Sequence, residues 1–272
     1  MKRPDESNSL RQSFVAVLDI LGVSQLMSHA SAKDLCEIAN SIKAPFENVR
    51  SCMDRFLSEL HDMKWEESYL NIFNATTTFH NFSDTIVIIC RPNLSSLNDA
   101  DVKTAAMLFF LQVRLTAYEL FMSGYPVRGC IDAGIIYQAG SVVVGYPYIN
   151  ALSIGESLDF SGVVITDNAL KLDYDCETEF SSTASAISVL LNVPTKEGEK
   201  EYHCLNWLVP PDKNSTNPDI SKLIDIKQFL HEKFSEHGKS INTSVFRKIT
   251  NTENTIRAFI LHDKRKLQEL PK

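Results

Sequence analysis

Phe14–Met27 reads FVAVLDILGVSQLM. Phe14 to Leu18 are all apolar, the pattern of a short strand buried on both faces. Asp19 follows at once, then Ile20, Leu21 and Gly22. A carboxylate at the end of a buried strand is costly unless it is paired or meets a cation. For an isolated Asp the ordinary outcome is a turn cap or a lysine partner. The remainder of the chain decides between that outcome and a functional one.

A second carboxylate stands in the same kind of place. Residues 69–91 predict a hairpin whose second strand, Thr85–Cys90 (TIVIIC), is almost wholly apolar and therefore central. Asp84 sits at its start, within FSDTIVII. Between the two strands, Ser31 followed by Asp34 resembles a capping box. Leu35, Ile38, Ile42, Phe46, Val49, Met53, Leu57 and Leu60 then recur at steps of three and four. They mark one face of a long amphipathic helix over 31–62, kinked at Pro45.

A second helix starts at Asn98 or Asp99, carries apolar residues from Val102 to Phe121 and stops at Gly124. Arg128–Tyr137 (RGCIDAGIIY) and Ser141–Val144 predict two strands, Ala151–Phe160 a short helix and Gly162–Thr166 a further strand. The order β-α-β-β-α-β-β-α-β implies an α+β fold, a ferredoxin-like mixed sheet packed by helices. In that topology the first strand neighbours the hairpin, so Asp19 and Asp84 come together. Two adjacent carboxylates repel unless cations lie between them. A pair of Mg²⁺ or Mn²⁺ ions relieves that repulsion and suits phosphoryl chemistry.

Past residue 185 the pattern changes. Ser188–Val193 reads as one more strand and Thr195–Glu201 as a polar hairpin loop or edge. Pro210–Pro218 (PPDKNSTNP) reads as a surface loop, and helices are expected near 219–236 and 243–264. The expected division is a catalytic domain over 13–185 and a mostly helical C-terminal extension over 186–272, packed on that domain or on a dimer interface.

Bulk properties narrow the function. With 272 residues and a net charge of −7, a broad nucleic-acid surface is not expected. The longest apolar run, Ala105–Leu111, is too short to span a bilayer, and residues 1–12 lack the apolar core of a signal peptide. A cytoplasmic protein that binds neither nucleic acid nor membrane is the expectation. The six cysteines form no CxxC pair and read as buried thiols.

Four segments together resemble the class III nucleotide cyclases: DILGVS around Asp19, FSDTIVII around Asp84, RGCIDAG at 128–134, and GYPYIN ending at Asn150. The likeness is greater to the pyrimidine nucleotide cyclases of bacterial anti-phage (Pycsar) signalling. It rests on FSDTIVI, RGCIDAG, ALSIGESLDFSGVVI, CLNW at 204–207 and NTENTIRAF near the C-terminus.

The resemblance implies conversion of UTP or CTP to the cyclic 3′,5′-monophosphate and diphosphate by a two-metal mechanism. It implies Asp19 and Asp84 as catalytic metal ligands, with the Ile20 carbonyl as a further ligand. Gly22, Val23, His80, Arg128 and Asn150 are the implied substrate contacts. A head-to-tail homodimer is implied as well. So is a separate effector protein reached only through the product.

The chain departs from the purine enzymes of that class at the base-reading positions, where His80 and Val143 or Val144 stand, and at the transition-state arginine, which is Ile154. That fits a pyrimidine pocket, and it fits equally a catalytically silent domain that binds a nucleotide or a partner. Arg128 and Lys171 are the candidate cations for the triphosphate. Arg128 has a structural reading as a partner of Asp132, and Asn150 has one as a cap of the helix at Ala151. Glu156 reads as a structural acid.

Overall fold

The computed structural model describes residues 11–28, 30–59, 72, 76–91, 99–139, 142–175, 187–208 and 225–269. The apolar run at the start becomes β1 (Arg11–Ile20). A short helix α1 (Val23–Met27) and a long helix α2 (Ala32–Glu59) follow. The capping box at the start of α2 is formed: the Ser31 N–H donates to Asp34 Oδ2 at 2.8 Å and the Asp34 N–H to Ser31 Oγ at 3.3 Å. Ile42 and Val49 are buried on its inner face, but Leu35, expected there, is exposed. Pro45 lies inside this continuous helix.

The hairpin β2 (Thr77–Phe82) and β3 (Thr85–Cys90) leads to α3 (Asp99–Met122). That helix ends at Gly124, whose φ of 78° admits the left-handed stop. The Tyr125 N–H reaches back to Leu120 O at 2.8 Å and the Gly124 N–H to Phe121 O at 3.0 Å. The segment Thr104–Met122 is long and apolar enough to cross a membrane by composition, which the short apolar run did not indicate. It is instead a core helix, 83% buried inside the protein. Phe109 and Phe110 clasp Phe14 of β1 at ring separations of 5.5 and 5.4 Å.

Next come β4 (Val127–Ala139), β5 (Val142–Val144), α4 (Tyr146–Ser157), β6 (Gly162–Ile165) and α5 (Asp167–Asp175). The helix expected at Ala151–Phe160 thus begins a turn and a half earlier, at Tyr146, with Pro147 in its first turn. The chain continues through β7 (Ser188–Thr195), β8 (Gly198–Leu205), α6 (Ile226–Ser235) and α7 (Thr243–Glu269).

The strands form one mixed sheet in the order β2-β3-β1-β4-β6-β8-β7, with β5 paired to β4 alone. The part β2-β3-β1-β4 is antiparallel throughout, the arrangement of a βαββαβ unit. The parallel β4–β6 pair makes the sheet mixed. This is the α+β architecture expected, helices on a mixed sheet. The polar stretch expected as a loop or edge after Thr195 is largely strand β8, which joins β6 on one side and β7 on the other. The expected boundary near residue 185 therefore falls between strands of one sheet. The expected loop at 210–218 and the start of the helix expected at 219 lie outside the described residues. Of the cysteines, Cys90, Cys130 and Cys204 are buried and Cys36 is exposed, contrary to the reading of all six as buried; Cys52 and Cys176 lie outside the description of side chains.

Two features fix the end of the sheet where the acids lie. Gly155 of α4 rests on Gly129 of β4, where a Cβ would stand 3.3 Å from the Gly129 Cα, so the helix sits close on the strand. The turn after α4 is in turn gripped by α7. Buried Asp159 pairs with Arg247 and, at 3.8 Å, with Lys248. Its carbonyl accepts from Asn251 at 2.8 Å, and the Ser161 N–H donates to Thr252 Oγ1 at 2.8 Å.

Candidate functional site

Three strand ends build the site. In register, Asp19 at the end of β1 lies opposite Thr85 of β3 and Arg128 of β4. Asp84 precedes Thr85 in the tight β2–β3 turn, where Ser83 has a φ of 61°. The Ile20 N–H donates to the Asp84 carbonyl at 2.8 Å, which locks the two acidic segments side by side. Asp19 and Asp84 are thereby brought together.

Burial holds the Asp19 carboxyl above its ordinary value; Arg128 pulls it back, while the charges of Asp84 and Glu156 push it up further. Each carboxylate has one oxygen engaged. Arg128 Nε donates to Asp19 Oδ2 at 2.8 Å, and Ser24 Oγ donates to Asp84 Oδ2 at 2.5 Å. The other oxygen of each has no hydrogen-bond partner among the described residues. Also among the described residues, no three His, Cys, Asp or Glu side chains converge. The pair thus suits Mg²⁺ or Mn²⁺, which complete their shells with carbonyl, phosphate and water oxygens, and not a closed protein cage.

Ser24 is a site residue that sequence reasoning passed over. It lies in the quoted DILGVS segment, but the acid it binds is 60 residues away, so nothing local marks the contact. Gly22 has a φ of +86°, which lets the chain turn from β1 into α1. The Leu21 N–H is given to Pro126 O at 2.8 Å. The N–H groups of Gly22 and Val23 have no acceptor among the described residues, while the Val23 side chain is buried in the core.

Arg128 does not pair with Asp132. Its guanidinium joins Asp19 and also donates from Nη1 to the carbonyls of Glu156 at 2.8 Å and Leu158 at 3.4 Å, capping the C-terminal turn of α4. Asp132 is four residues further along β4, opposite Val15. It is fully buried and accepts from Thr166 Oγ1 at 2.5 Å, Asn150 Nδ2 at 2.8 Å and Asn168 Nδ2 at 3.4 Å. Asn150 is therefore no helix cap: it is the fifth residue of α4, and its amide is tied to Asp132.

The remaining candidates make no side-chain hydrogen bond to either acid among the described residues. His80 Nε2 lies 3.1 Å from the Gln138 amide nitrogen, and its ring stacks on Phe82 with centroids 6.2 Å apart. Lys171 is exposed on α5. Ile154 packs partly buried against the core. Glu156 is exposed, and its main-chain carbonyl, not its carboxylate, meets Arg128.

No family model matches the chain, and no curated protein matches it. Solved structures similar to parts of it include a guanylate cyclase domain from Catenaria anguillulae in complex with GTP. That structure is 12% identical, covers 72% of this chain and 96% of its own, and has a TM-score of 0.42. The adenylyl cyclase CyaB from P. aeruginosa is 12% identical, covers 78% of this chain and 97% of its own, and scores 0.39. A class III adenylyl cyclase-like ATP-binding protein from Pseudomonas aeruginosa is 14% identical, covers 72% of this chain and 41% of its own, and scores 0.33.

Proposed function

We propose that this protein is a nucleotide cyclase that converts UTP or CTP to the 3′,5′-cyclic monophosphate and diphosphate. The observation that carries the reading is the Asp19–Asp84 pair, set on neighbouring strand ends with one carboxylate oxygen of each uncommitted among the described residues. The four ordered sequence landmarks support it.

In this reading Asp19, Asp84 and the Ile20 carbonyl would hold two Mn²⁺ or Mg²⁺ ions, which would acidify the ribose 3′-hydroxyl and neutralise triphosphate charge. The 3′-oxygen forms a bond to the α-phosphorus, the bond to the bridging α,β-oxygen breaks, diphosphate leaves and the hydroxyl proton passes to solvent. Gly22 and Val23 offer main-chain N–H groups to phosphate oxygens. Arg128 orients Asp19 and neutralises part of the acidic pair. The absence of a lysine or glutamate at His80, and of a hydrogen-bonding side chain at Val143 and Val144, supports a pyrimidine over a purine.

The partner in this reading is a second copy of the chain. Ile135, Val142, Val144, Tyr146 and Ile149 are each more than half exposed, and they neighbour one another along β4, β5 and the first turns of α4. Exposed apolar residues grouped in this way support an association surface here. Asn150 stands beside it. The cyclic product would then act on a separate effector as an antiviral second messenger, which rests on the sequence resemblance alone.

A silent nucleotide-binding domain is the second reading. It is favoured by Ile154 at the arginine position and by the engagement of the Asn150 amide with Asp132. Incubation with each of the four nucleoside triphosphates and Mn²⁺, followed by analysis for cyclic product, separates the two. Product from a pyrimidine triphosphate is expected. Product from none of the four, in a preparation that is dimeric, would overturn the enzyme reading.

A further inference from the structure

The C-terminal segment Lys233–Ser240 reaches back more than a hundred residues to the turns that flank the site. Three consecutive main-chain carbonyls at the end of α3 accept from its basic side chains. Lys233 Nζ meets Met122 O at 2.6 Å, His237 Nε2 meets Ser123 O at 2.8 Å and Lys239 Nζ meets Gly124 O at 2.5 Å. The carbonyl end of a helix is its negative pole and favours such donors. The His237 ring stacks on Tyr125 with centroids 4.4 Å apart, and Lys239 Nζ lies 5.3 Å from the centre of the same Tyr125 ring.

The segment also occupies the space beside two glycines in the left-handed region. Glu236 stands where a side chain at Gly124 would go, and a Cβ at Gly22 would come within 2.9 Å of Lys239 Cδ. Lys239 is buried, which pushes the pKa of its ammonium down to about 8. The next residue continues the contact, for Gln25 Nε2 donates to Ser240 Oγ at 2.9 Å. Gly22 and Gln25 bracket Ser24, whose hydroxyl binds Asp84.

We propose that Lys233–Ser240 is a strap that sets the Gly22–Gln25 turn, and that Lys239 is a positioning residue acting through Gly22 and Ser24 on Asp84. The strap itself stands on these contacts. Its consequence for metal binding rests on the cyclase reading. Two main-chain bonds also restrain the turn, the Leu21 N–H on Pro126 O and the Ile20 N–H on Asp84 O. The strap adds side-chain contacts to them.

Hydrogen exchange followed by mass spectrometry tests the strap without reference to metal or substrate. In the full-length protein, Lys239→Ala removes both the stem against Gly22 and the donor to Gly124. Lys239→Met keeps most of the stem and removes the donor. Asp225→Ala removes the α6 N-cap, a 2.8 Å bond to the Gln228 N–H, and destabilises the same extension without touching the turn.

Lys239→Ala is expected to speed exchange over residues 22–25 and also over 82–86 on the order of fivefold, the effect of one lost hydrogen bond. Lys239→Met should have an intermediate effect and Asp225→Ala none in those two segments. Unchanged exchange in both segments for Lys239→Ala, or an equal change for Asp225→Ala, would overturn the strap. Titration of Mn²⁺ by electron paramagnetic resonance then isolates the other claim. Faster exchange in Lys239→Ala with no Mn²⁺ bound by the wild type upholds the strap and contradicts the metal reading. Faster exchange with weakened Mn²⁺ binding upholds both.

Discussion

Arg128 and Asp19 face each other across neighbouring strands, with Nε 2.8 Å from Oδ2, and both side chains are largely shielded from water. The same guanidinium closes the end of α4 through the Glu156 carbonyl. One side chain therefore ties a candidate metal ligand to the helix that carries Asn150. Removing it strands a half-buried carboxylate and two helix-terminal carbonyls at once. Arg128→Ala is expected to lower unfolding free energy by about 2 kcal/mol, measured by urea denaturation, and to reduce cyclic product formation at least about tenfold. Arg128→Lys should recover little of either, because one ammonium cannot reproduce the spread of donors that reaches Asp19 and α4 together.

Asp132 gathers donors from three elements, namely Asn150 on α4, Thr166 after β6 and Asn168 on α5. Asp132→Ala removes the acceptor of all three and leaves the buried Thr166 hydroxyl and the half-buried Asn150 amide without it. A loss of about 3 kcal/mol is expected by denaturant unfolding, well above that of an exposed substitution. Lys171→Ala, on the exposed face of α5, is expected to leave stability within about 0.5 kcal/mol.

The raised Asp19 carboxyl carries a pH dependence of fixed sign. Because its folded value lies above the ordinary 3.8, the folded protein holds a proton that the unfolded chain has already released. The stabilisation is fully present below the unfolded value and is lost as pH rises through the folded one. In metal-free protein the Asp19→Asn substitution should therefore flatten a decline in melting temperature that begins just above about pH 4. If Asp19 ligates Mn²⁺ as proposed, the metal takes the ionised form, so its stabilising effect should grow over the same window. Thermal melts from about pH 4 to about pH 7, with and without Mn²⁺, check both trends.

Much of this was legible in the sequence, and the reasons differ by element. The runs FVAVL and TIVIIC marked the two central strands because a strand buried on both faces has no polar positions to spare. Ser31 with Asp34 and the glycine at 124 marked helix ends because those positions need particular side chains or a left-handed residue. Convergence of Asp19 and Asp84 followed from topology. The partner of Arg128 did not: Asp132, nearby on the same strand, was the partner read from the sequence, and only the register sets Arg128 opposite Asp19. Strand β8 was missed because its first half is solvated, so its pattern lacks the alternation of a half-buried strand. The strap left no periodic trace at all. Lys239 is buried by contacts with Gly22 and Gly124, 217 and 115 residues away, and nothing local announces that.

If a second copy covers the apolar face of β5 and α4, charging that face should prevent association. The double substitution Val144→Asp and Ile149→Asp places two carboxylates on positions that are 57% and 60% exposed, so the fold should survive. Light scattering is expected to show a dimer for the wild type and a monomer for the variant, with product formation lost alongside. A variant that remains dimeric would remove this face from the account.

The central claim is that Asp19 and Asp84 act as one metal-binding pair in nucleotide cyclisation. Its most direct test is the rate of cyclic product from UTP and from CTP as a function of Mn²⁺ for the wild type, Asp19→Ala and Asp84→Ala. Each variant is to be shown folded by circular dichroism. The account predicts Mn²⁺-dependent product from at least one pyrimidine triphosphate in the wild type, and a loss on the order of a hundredfold or more in each variant that extra Mn²⁺ does not restore. A wild-type rate retained by either folded variant would contradict it.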